Sequence, residues 1–209
     1  MEISWLLFLA AAVALIATPG QDMILVMSRS VTQGQAAGLI TALGISAGLL
    51  VHTVLAALGL GIILKTSEWL FFTVKFAGAG YLVYLGVRAI MSARNTLALF
   101  HSQPRSLGRL FLDGALTNIA NPKIAVFYLA FLPQFVTPAS NNPTAALFVL
   151  GAAFAALTFL IKGPLAVCSG HLSRWVRRHP GALSWLYRVS GAVLIGLGIS
   201  LALEEHRAA

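Results

Sequence analysis

The chain of 209 residues is 58% hydrophobic and 10% charged, with a formal net charge of +8 and a mean hydropathy of +0.86. Soluble domains carry roughly 25% charged residues, so this composition excludes a soluble protein and indicates several membrane spans. The basic excess does not indicate nucleic-acid binding, because the basic residues cluster beside apolar segments, as the positive-inside rule predicts. The single cysteine, Cys168, excludes an intrachain disulfide and a cysteine-based metal cage, and we expect no metal and no cofactor.

Six apolar segments are long enough to cross a bilayer, which takes roughly 20 residues. They cover about 3–27, 38–64, 69–91, 110–135, 144–168 and 187–203. We interpret the first as a retained span rather than a signal peptide, because Met1-Glu2 supplies no basic segment before it. Basic residues concentrate in the first, third and fifth connections, which predicts that these connections are cytoplasmic and that both termini lie outside.

The polar segment 92–109 divides the spans into two sets of three. We predict a first three-helix repeat at 1–91, a cytoplasmic linker at 92–109 and a second three-helix repeat at 110–209. Glycine-dotted apolar runs at 74–82 and 187–194 are similar, although such runs also look alike by chance. An odd number of spans per repeat requires the second to insert upside down. The predicted fold class is an all-α membrane protein of six transmembrane helices in two inverted repeats, with broken first and fourth helices.

Two of the predicted spans contain a proline beside polar residues, at 18–22 (TPGQD) and at 118–123 (NIANPK). Proline has no backbone N–H and breaks or kinks a helix, and glycine beside it eases irregular backbone. In lipid, such backbone is tolerated only where it is buried in protein or lines a cavity. The two breaks therefore predict a functional site. The residues predicted to break the helices are Pro19, Gly20 and Pro122.

Polar side chains at the breaks are costly in a membrane and usually functional. Asp22 either binds a cationic group and exchanges a proton, or caps the helix that restarts after Pro19. Lys123 either attracts an anionic substrate group or balances the charge of Asp22, or else it snorkels, although it lies roughly 20 Å into the bilayer by helical rise from Arg109. The amides near Pro122 contact a polar substrate or satisfy freed backbone groups. We predict these substrate-binding residues: Asp22, Asn118, Asn121 and Lys123.

Other polar residues have a structural explanation beside a functional one. His52 in the second span either relays protons or packs, so the candidates for proton coupling are Asp22 and His52. Asp113 suits the dipole of a helix N-terminus, and Lys162 is expected to snorkel from the inner end of the fifth span. Small residues three to four apart on the second span predict close packing within the bundle, with a homodimer as the alternative. These residues are Gly34, Gly38, Thr41, Gly44 and Gly48.

The segments 18–22 (TPGQD), 114–123 (GALTNIANPK) and 131–135 (FLPQF) resemble the lysine exporter (LysE) superfamily, most closely its homoserine/threonine resistance (RhtB-type) branch. The resemblance covers nearly the whole chain, but the family usually has Pro-Gly-Pro where this chain has Pro19-Gly20-Gln21. It implies a multi-pass secondary transporter of the bacterial inner membrane that exports a small amino acid or related zwitterion by proton antiport.

The partners implied by this resemblance are the substrate, protons and membrane lipids. The residues alone leave two alternatives. A passive channel is disfavoured by the lack of a charged ring pattern. A membrane-embedded enzyme is disfavoured because the sequence shows no Ser–His or His–Glu motif for catalysis.

Overall fold

The computed structural model of the protein describes residues 3, 5–66, 68–92, 103–136 and 142–203. Features predicted at Met1-Glu2, in the linker at 93–102, in the fourth connection at 137–141 and around Arg207 lie outside these residues. The described part is helical apart from short connections and an isolated antiparallel bridge between Ile3 and Val136.

Eight α-helices follow one another along the described chain. Their bounds are α1 Trp5–Ala17, α2 Gln21–Gln33, α3 Gln35–Thr66, α4 Glu68–Met91, α5 Leu107–Ile119, α6 Pro122–Val126, α7 Pro143–Arg178 and α8 Pro180–Leu203. A π-helical turn (Phe127–Phe131) and a 3-10 turn (Leu132–Phe135) continue α6 without a gap.

The predicted breaks in the first and fourth spans are confirmed. α1 and α2 meet at an angle of 54° around Pro19, and α5 meets the segment Pro122–Phe135 at 53°. Each break falls where a proline withholds the N–H that a continuous helix needs. Helical hydrogen bonding resumes directly after the first break, where the Ile24 N–H donates to the Gly20 carbonyl at 3.0 Å.

The described helices are those of a multi-span membrane protein. Three unbroken segments are long and apolar enough to cross a membrane, and the count is five when each bent pair is taken as one span. The predicted third span corresponds to α4, a helix of 24 residues that falls outside this set of five. Large apolar side chains such as Leu6 and Leu160 are exposed on the outside of the bundle, as a lipid environment requires.

Two connections are shorter than the sequence indicated. α7 continues to Arg178 and α8 begins at Pro180, so Arg174 lies on a helix and not in a loop. α2 extends to Gln33, and Gly34 turns the chain into α3. Gly34 has φ 94°, a left-handed conformation that favours glycine, so it belongs to the turn and not to the small-residue face. The length of an apolar segment predicts only the part of a helix that lies in the hydrocarbon layer. These helices continue into polar sequence beyond it, which shortens the connections.

The remaining small residues of α3 lie at close helix crossings. A Cβ on Gly44 would collide with the backbone carbonyl of Phe111, and one on Gly114 would collide with the carbonyl of Thr41. Gly48 approaches the Ala115 carbonyl in the same way, with 2.7 Å to a Cβ placed there. The prediction that this face packs within the bundle is confirmed.

The unbroken helices form two pairs, and each broken span contacts both pairs. α3 packs along α7, and α4 packs along α8. α2 and α5 lie against α3, and α2 also lies against α7. α1 contacts α8 and α7, and the segment 122–131 contacts α4. Each broken span therefore reaches the α4–α8 pair on one side of its break and the α3–α7 pair on the other.

Candidate functional site

Asp22 lies at the centre of a polar cluster where the two breaks meet. It occupies the first turn of α2, where the helix dipole favours a carboxylate. Its Oδ2 accepts hydrogen bonds from Asn118 Nδ2 at 3.0 Å and from Lys162 Nζ at 3.1 Å. Its Oδ1 accepts a hydrogen bond from Asn121 Nδ2 at 3.3 Å. Three donors from three parts of the chain thus converge on one carboxylate.

The Asp22–Lys162 ion pair is almost fully buried. The side chains of Asp22 and Lys162 are 6% and 7% exposed. Taking two charges out of water costs several kcal/mol per ion, and only close pairing with further hydrogen bonds offsets that cost. The expectation that Lys162 snorkels is therefore wrong. Its ammonium reaches a buried carboxylate, which compensates the charge without extension to the headgroups.

Asn121 and Asn118 connect the second break to Asp22. Asn121 Oδ1 accepts the backbone N–H of Lys123 at 3.1 Å and so caps α6, while its Nδ2 donates to Asp22. Asn118 is fully buried, and its Oδ1 has no hydrogen-bond partner among the described residues. Of the two alternatives predicted for these amides, the satisfaction of freed backbone groups holds for Asn121. Contact with a substrate stays a prediction.

The side chain of Lys123 extends from the second helix break to the first. Its Nζ donates to the Leu15 carbonyl at 2.9 Å, close to the C-terminus of α1, where carbonyl groups lack helical partners. An ammonium carries three donors, and this is the one hydrogen bond that Lys123 Nζ makes to the described residues. The ion-pair partner of Asp22 within hydrogen-bonding distance is Lys162 and not Lys123.

His52 lies behind Asn118 rather than on the cavity wall. Its Nε2 is 3.2 Å from the Asn118 carbonyl oxygen, and its ring lies 5.6 Å from the ring of Tyr128. Tyr128 in turn accepts from Thr53 Oγ1 and donates to the Gly151 carbonyl. His52 is buried in this network and thereby fixes the end of α5.

A cavity of about 550 Å³ joins the breaks to the ends of α4 and α8. This volume is within the range of sites for small molecules. Every residue predicted for the breaks and for substrate binding lines it. His52 is not among the lining residues in the described part of the chain. The predicted residues brought together are Pro19, Gly20, Asp22, Asn118, Asn121, Pro122 and Lys123.

A second charged cluster joins the end of α2 to the beginning of α5, outside this cavity. Asp113 Oδ2 accepts from Arg29 at 3.1 Å, and Arg105 NH1 lies 2.7 Å from Asp113 Oδ1. The Gln33 amide exchanges two hydrogen bonds with the backbone of Arg105. Asp113 is therefore part of an ion-pair cluster and does more than complement a helix dipole. The residues Arg29, Gln33, Arg105 and Asp113 form what we call the Asp113 cluster.

The class of protein that this arrangement defines is a helical membrane protein with a buried charged cavity at paired helix breaks. Residues 13–205 match the family described as LysE type translocator. The chain belongs to this family of transporters and is not an enzyme.

Named relatives extend over nearly the whole chain. The membrane protein YrhP of Bacillus subtilis is 30% identical, over 96% of this chain and 99% of its own. The homoserine/homoserine lactone efflux protein of Salmonella typhimurium is 29% identical, over 97% of both chains. The leucine efflux protein of Klebsiella pneumoniae is 28% identical, over 96% of this chain and 95% of its own. No solved structure matches the chain.

Proposed function

We propose that the protein is a secondary transporter of the bacterial inner membrane that exports a small amino acid or related zwitterion in exchange for protons. The relatives named for efflux of homoserine and leucine support the substrate class. The observation that carries the mechanism is the buried Asp22–Lys162 pair on a cavity formed by both helix breaks. An intramembrane carboxylate that pairs with a single lysine suits a group that alternates between partners.

In this mechanism Asp22 is the group that protons and substrate share. A proton on Asp22 and the ammonium of a substrate beside it each neutralise the carboxylate. Binding of one therefore disfavours binding of the other. Lys162 compensates Asp22 when neither is bound. Lys123 and the Nδ2 groups of Asn118 and Asn121 hold the carboxylate of the substrate. The broken helices add free backbone groups to the same site.

Alternating access would come from two inverted repeats, 1–91 and 110–209, that rock against each other. The α4–α8 crossing supports this arrangement. A Cβ on Gly86 would lie 2.6 Å from the Gly191 carbonyl oxygen and 2.6 Å from Ile195, and a Cβ on Gly191 would lie 2.6 Å from the Gly86 carbonyl oxygen and 2.6 Å from Ile90. Two segments related by a two-fold axis make reciprocal contacts of this kind, because each residue meets the equivalent of its own partner. In this proposal Gly86 corresponds to Gly191, which is a different register from the similarity between the runs 74–82 and 187–194.

One chain is sufficient for this proposal, and a homodimer is not required by it. The α3 glycines that a dimer would use are covered by other helices of the same chain. Gly44 and Gly48 lie against α5, and Gly38 lies against Ser30 of α2.

The proposal is tested in proteoliposomes with labelled leucine and homoserine. For the wild type we expect saturable counterflow and accumulation driven by a pH gradient. Asp22→Asn should lose more than about 90% of gradient-driven accumulation, because its neutral amide no longer binds a proton. It should retain a weakened counterflow, because the ammonium of the substrate loses a charged partner. Lys123→Ala should weaken both activities about tenfold, because it removes a charged hydrogen bond to the substrate.

Two variants control for this experiment. Asp113→Asn removes an acid outside the cavity and should leave coupling intact. His52→Gln keeps a donor for the Asn118 carbonyl and should also keep the pH dependence of the wild type. Coupled transport by Asp22→Asn contradicts the assignment of the proton to Asp22, and loss of coupling in His52→Gln would assign it to His52. Flux that does not saturate would indicate a passive channel.

A further inference from the structure

Among the described residues that line the cavity, cationic side chains outnumber acidic ones. Lys123, Lys162 and Arg88 are cationic, whereas Asp22 is the one acid among the lining residues of the described chain. Lys123 lies at the second break, and Lys162 reaches Asp22 beside the first break from α7. Arg88 is exposed in the last turn of α4, where the cavity reaches Ser92, and so lies at its mouth. A molecule that enters meets a positive potential from the mouth to the centre.

The one carboxylate among the described lining residues is already occupied, and the other side-chain acceptors there are neutral. Both oxygens of Asp22 already accept hydrogen bonds, from Asn118, Asn121 and Lys162. Asn118 Oδ1 and Thr158 Oγ1 are buried on the cavity wall with no partner among the described residues. These two oxygens, together with Asp22, suffice for one ammonium, which carries three donors. They leave no carboxylate for a second cation.

Apolar side chains line a part of the wall beside these polar atoms. They include Leu15, Ile16, Leu49, Phe154 and Leu194. Burial of an aliphatic group on such a surface favours binding in proportion to the apolar area removed from water. A charged side-chain end on the same surface would lose its hydration without a compensating partner.

We propose that the cavity selects amino-acid zwitterions with an uncharged, apolar side chain and excludes amino acids with a cationic side chain. The carboxylate of the substrate is drawn past Arg88 to Lys123, its ammonium binds Asn118 Oδ1 and Thr158 Oγ1 beside Asp22, and its side chain lies on the apolar wall. Arg88 is a specificity-determining residue that repels a second positive charge at the mouth. This inference rests on the proposed function and names the substrate class of the same site.

Norleucine and lysine form a matched pair for the test, because their side chains differ by a terminal ammonium. Wild-type protein in proteoliposomes is assayed by counterflow of labelled leucine, which does not depend on the orientation of the protein, with either amino acid as competitor. We expect norleucine to compete at least about tenfold better than lysine, since the side-chain ammonium of lysine meets like charges in the cavity and no second carboxylate. Equal competition overturns the inference but leaves the transporter in place. Absence of counterflow for every amino acid overturns the proposed function, and the inference with it.

The role of Arg88 is tested with a control that loses the same charge elsewhere. Arg174 is exposed on α7, bonds the Gly170 carbonyl of its own helix and does not line the cavity. Arg88→Gln should narrow the norleucine-to-lysine ratio by about three- to tenfold at low ionic strength, and the narrowing should fade as salt screens the mouth. Arg174→Gln should leave the ratio unchanged. An equal effect of both variants, or none from Arg88→Gln, overturns the role assigned to Arg88.

Discussion

At the scale of single residues, the site depends on how Asp22 is kept charged within the membrane. A lone carboxylate at this depth costs several kcal/mol, and the structure compensates it with an ammonium and two amides. The amides come from both sides of the second break, so that break is fixed by the same hydrogen bonds that hold Asp22. A change of charge at Asp22 therefore alters the contact between the two breaks.

Neutralising one partner of the Asp22–Lys162 pair should destabilise the protein more than neutralising both. Asp22→Asn leaves the ammonium of Lys162 buried without a carboxylate, which is expected to cost about 3–5 kcal/mol. The double variant Asp22→Asn/Lys162→Met removes both charges and should recover most of that loss. Thermal unfolding of the purified proteins in detergent, followed by tryptophan fluorescence, measures the difference. A double variant as unstable as the single one would contradict the pairing.

The sequence was sufficient to predict that Asp22, Asn118, Asn121 and Lys123 adjoin two helix breaks, and all four line one cavity. Each adjoins a proline, which breaks a helix locally, and their role in substrate binding stays a prediction. The sequence was not sufficient for Lys162, which lies within a continuous helix and 140 positions from Asp22. Its signal was weak: an ionisable residue in an apolar helix, beside Gly163-Pro164. Whether such a lysine snorkels depends on a partner that only the tertiary fold supplies.

At the scale of elements, the polar breaks are held in place by close helix crossings. α5 reaches α3 because Gly44 and Gly114 carry no side chain where their backbones meet. This crossing positions the end of α5, and with it Asn118, against Asp22 and His52. Small residues at such contacts let helices associate by packing where the hydrophobic effect gives no driving force.

A methyl group at the α3–α5 crossing should separate the two helices. Gly44→Ala is expected to lower stability by about 1–3 kcal/mol, because the new Cβ collides with a backbone carbonyl that has no room to move. Gly80→Ala on α4 is the control, since nothing lies within 4 Å of a Cβ at that position. The control should be neutral or more stable by up to about 1 kcal/mol. Equal midpoints of thermal unfolding for the two variants would show that the crossing is not tight.

Hydropathy predicted which segments are helices better than where they end. The breaks at Pro19 and Pro122 were predictable because proline acts locally on the backbone. The extension of α7 to Arg178 and of α2 to Gln33 was not, since polar residues continue a helix once it leaves the hydrocarbon layer. Arg29, expected in a connection, is consequently a buried helical residue in the Asp113 cluster.

At the scale of the whole molecule, the cavity separates the two groups of helices. Its walls come from the breaks and α7 on one side and from α4 and α8 on the other. The Asp113 cluster joins α2 to α5 within one group, so relative motion of the groups leaves this cluster intact. The cavity reaches Ser92 at the C-terminal end of α4, the side that the loop charges predict to be cytoplasmic. In the proposed transport cycle this mouth faces the predicted cytoplasmic side.

If transport alternates access between the two faces, this mouth must close during the cycle, and a cysteine at Ser92 will report it. In a Cys168→Ala background, which removes the chain's one natural thiol, Ser92→Cys should react with a membrane-impermeant thiol reagent supplied from the cytoplasmic side. A substrate and proton gradient that favours the opposite state should slow this labelling about threefold or more, because most of the population then leaves the open state. Ser106→Cys, exposed ahead of α5 and outside the cavity, should be labelled at the same rate under both conditions. A constant rate at Ser92 under gradients that drive transport would show that the α4–α8 pair does not close this mouth, and that access is controlled at the breaks alone.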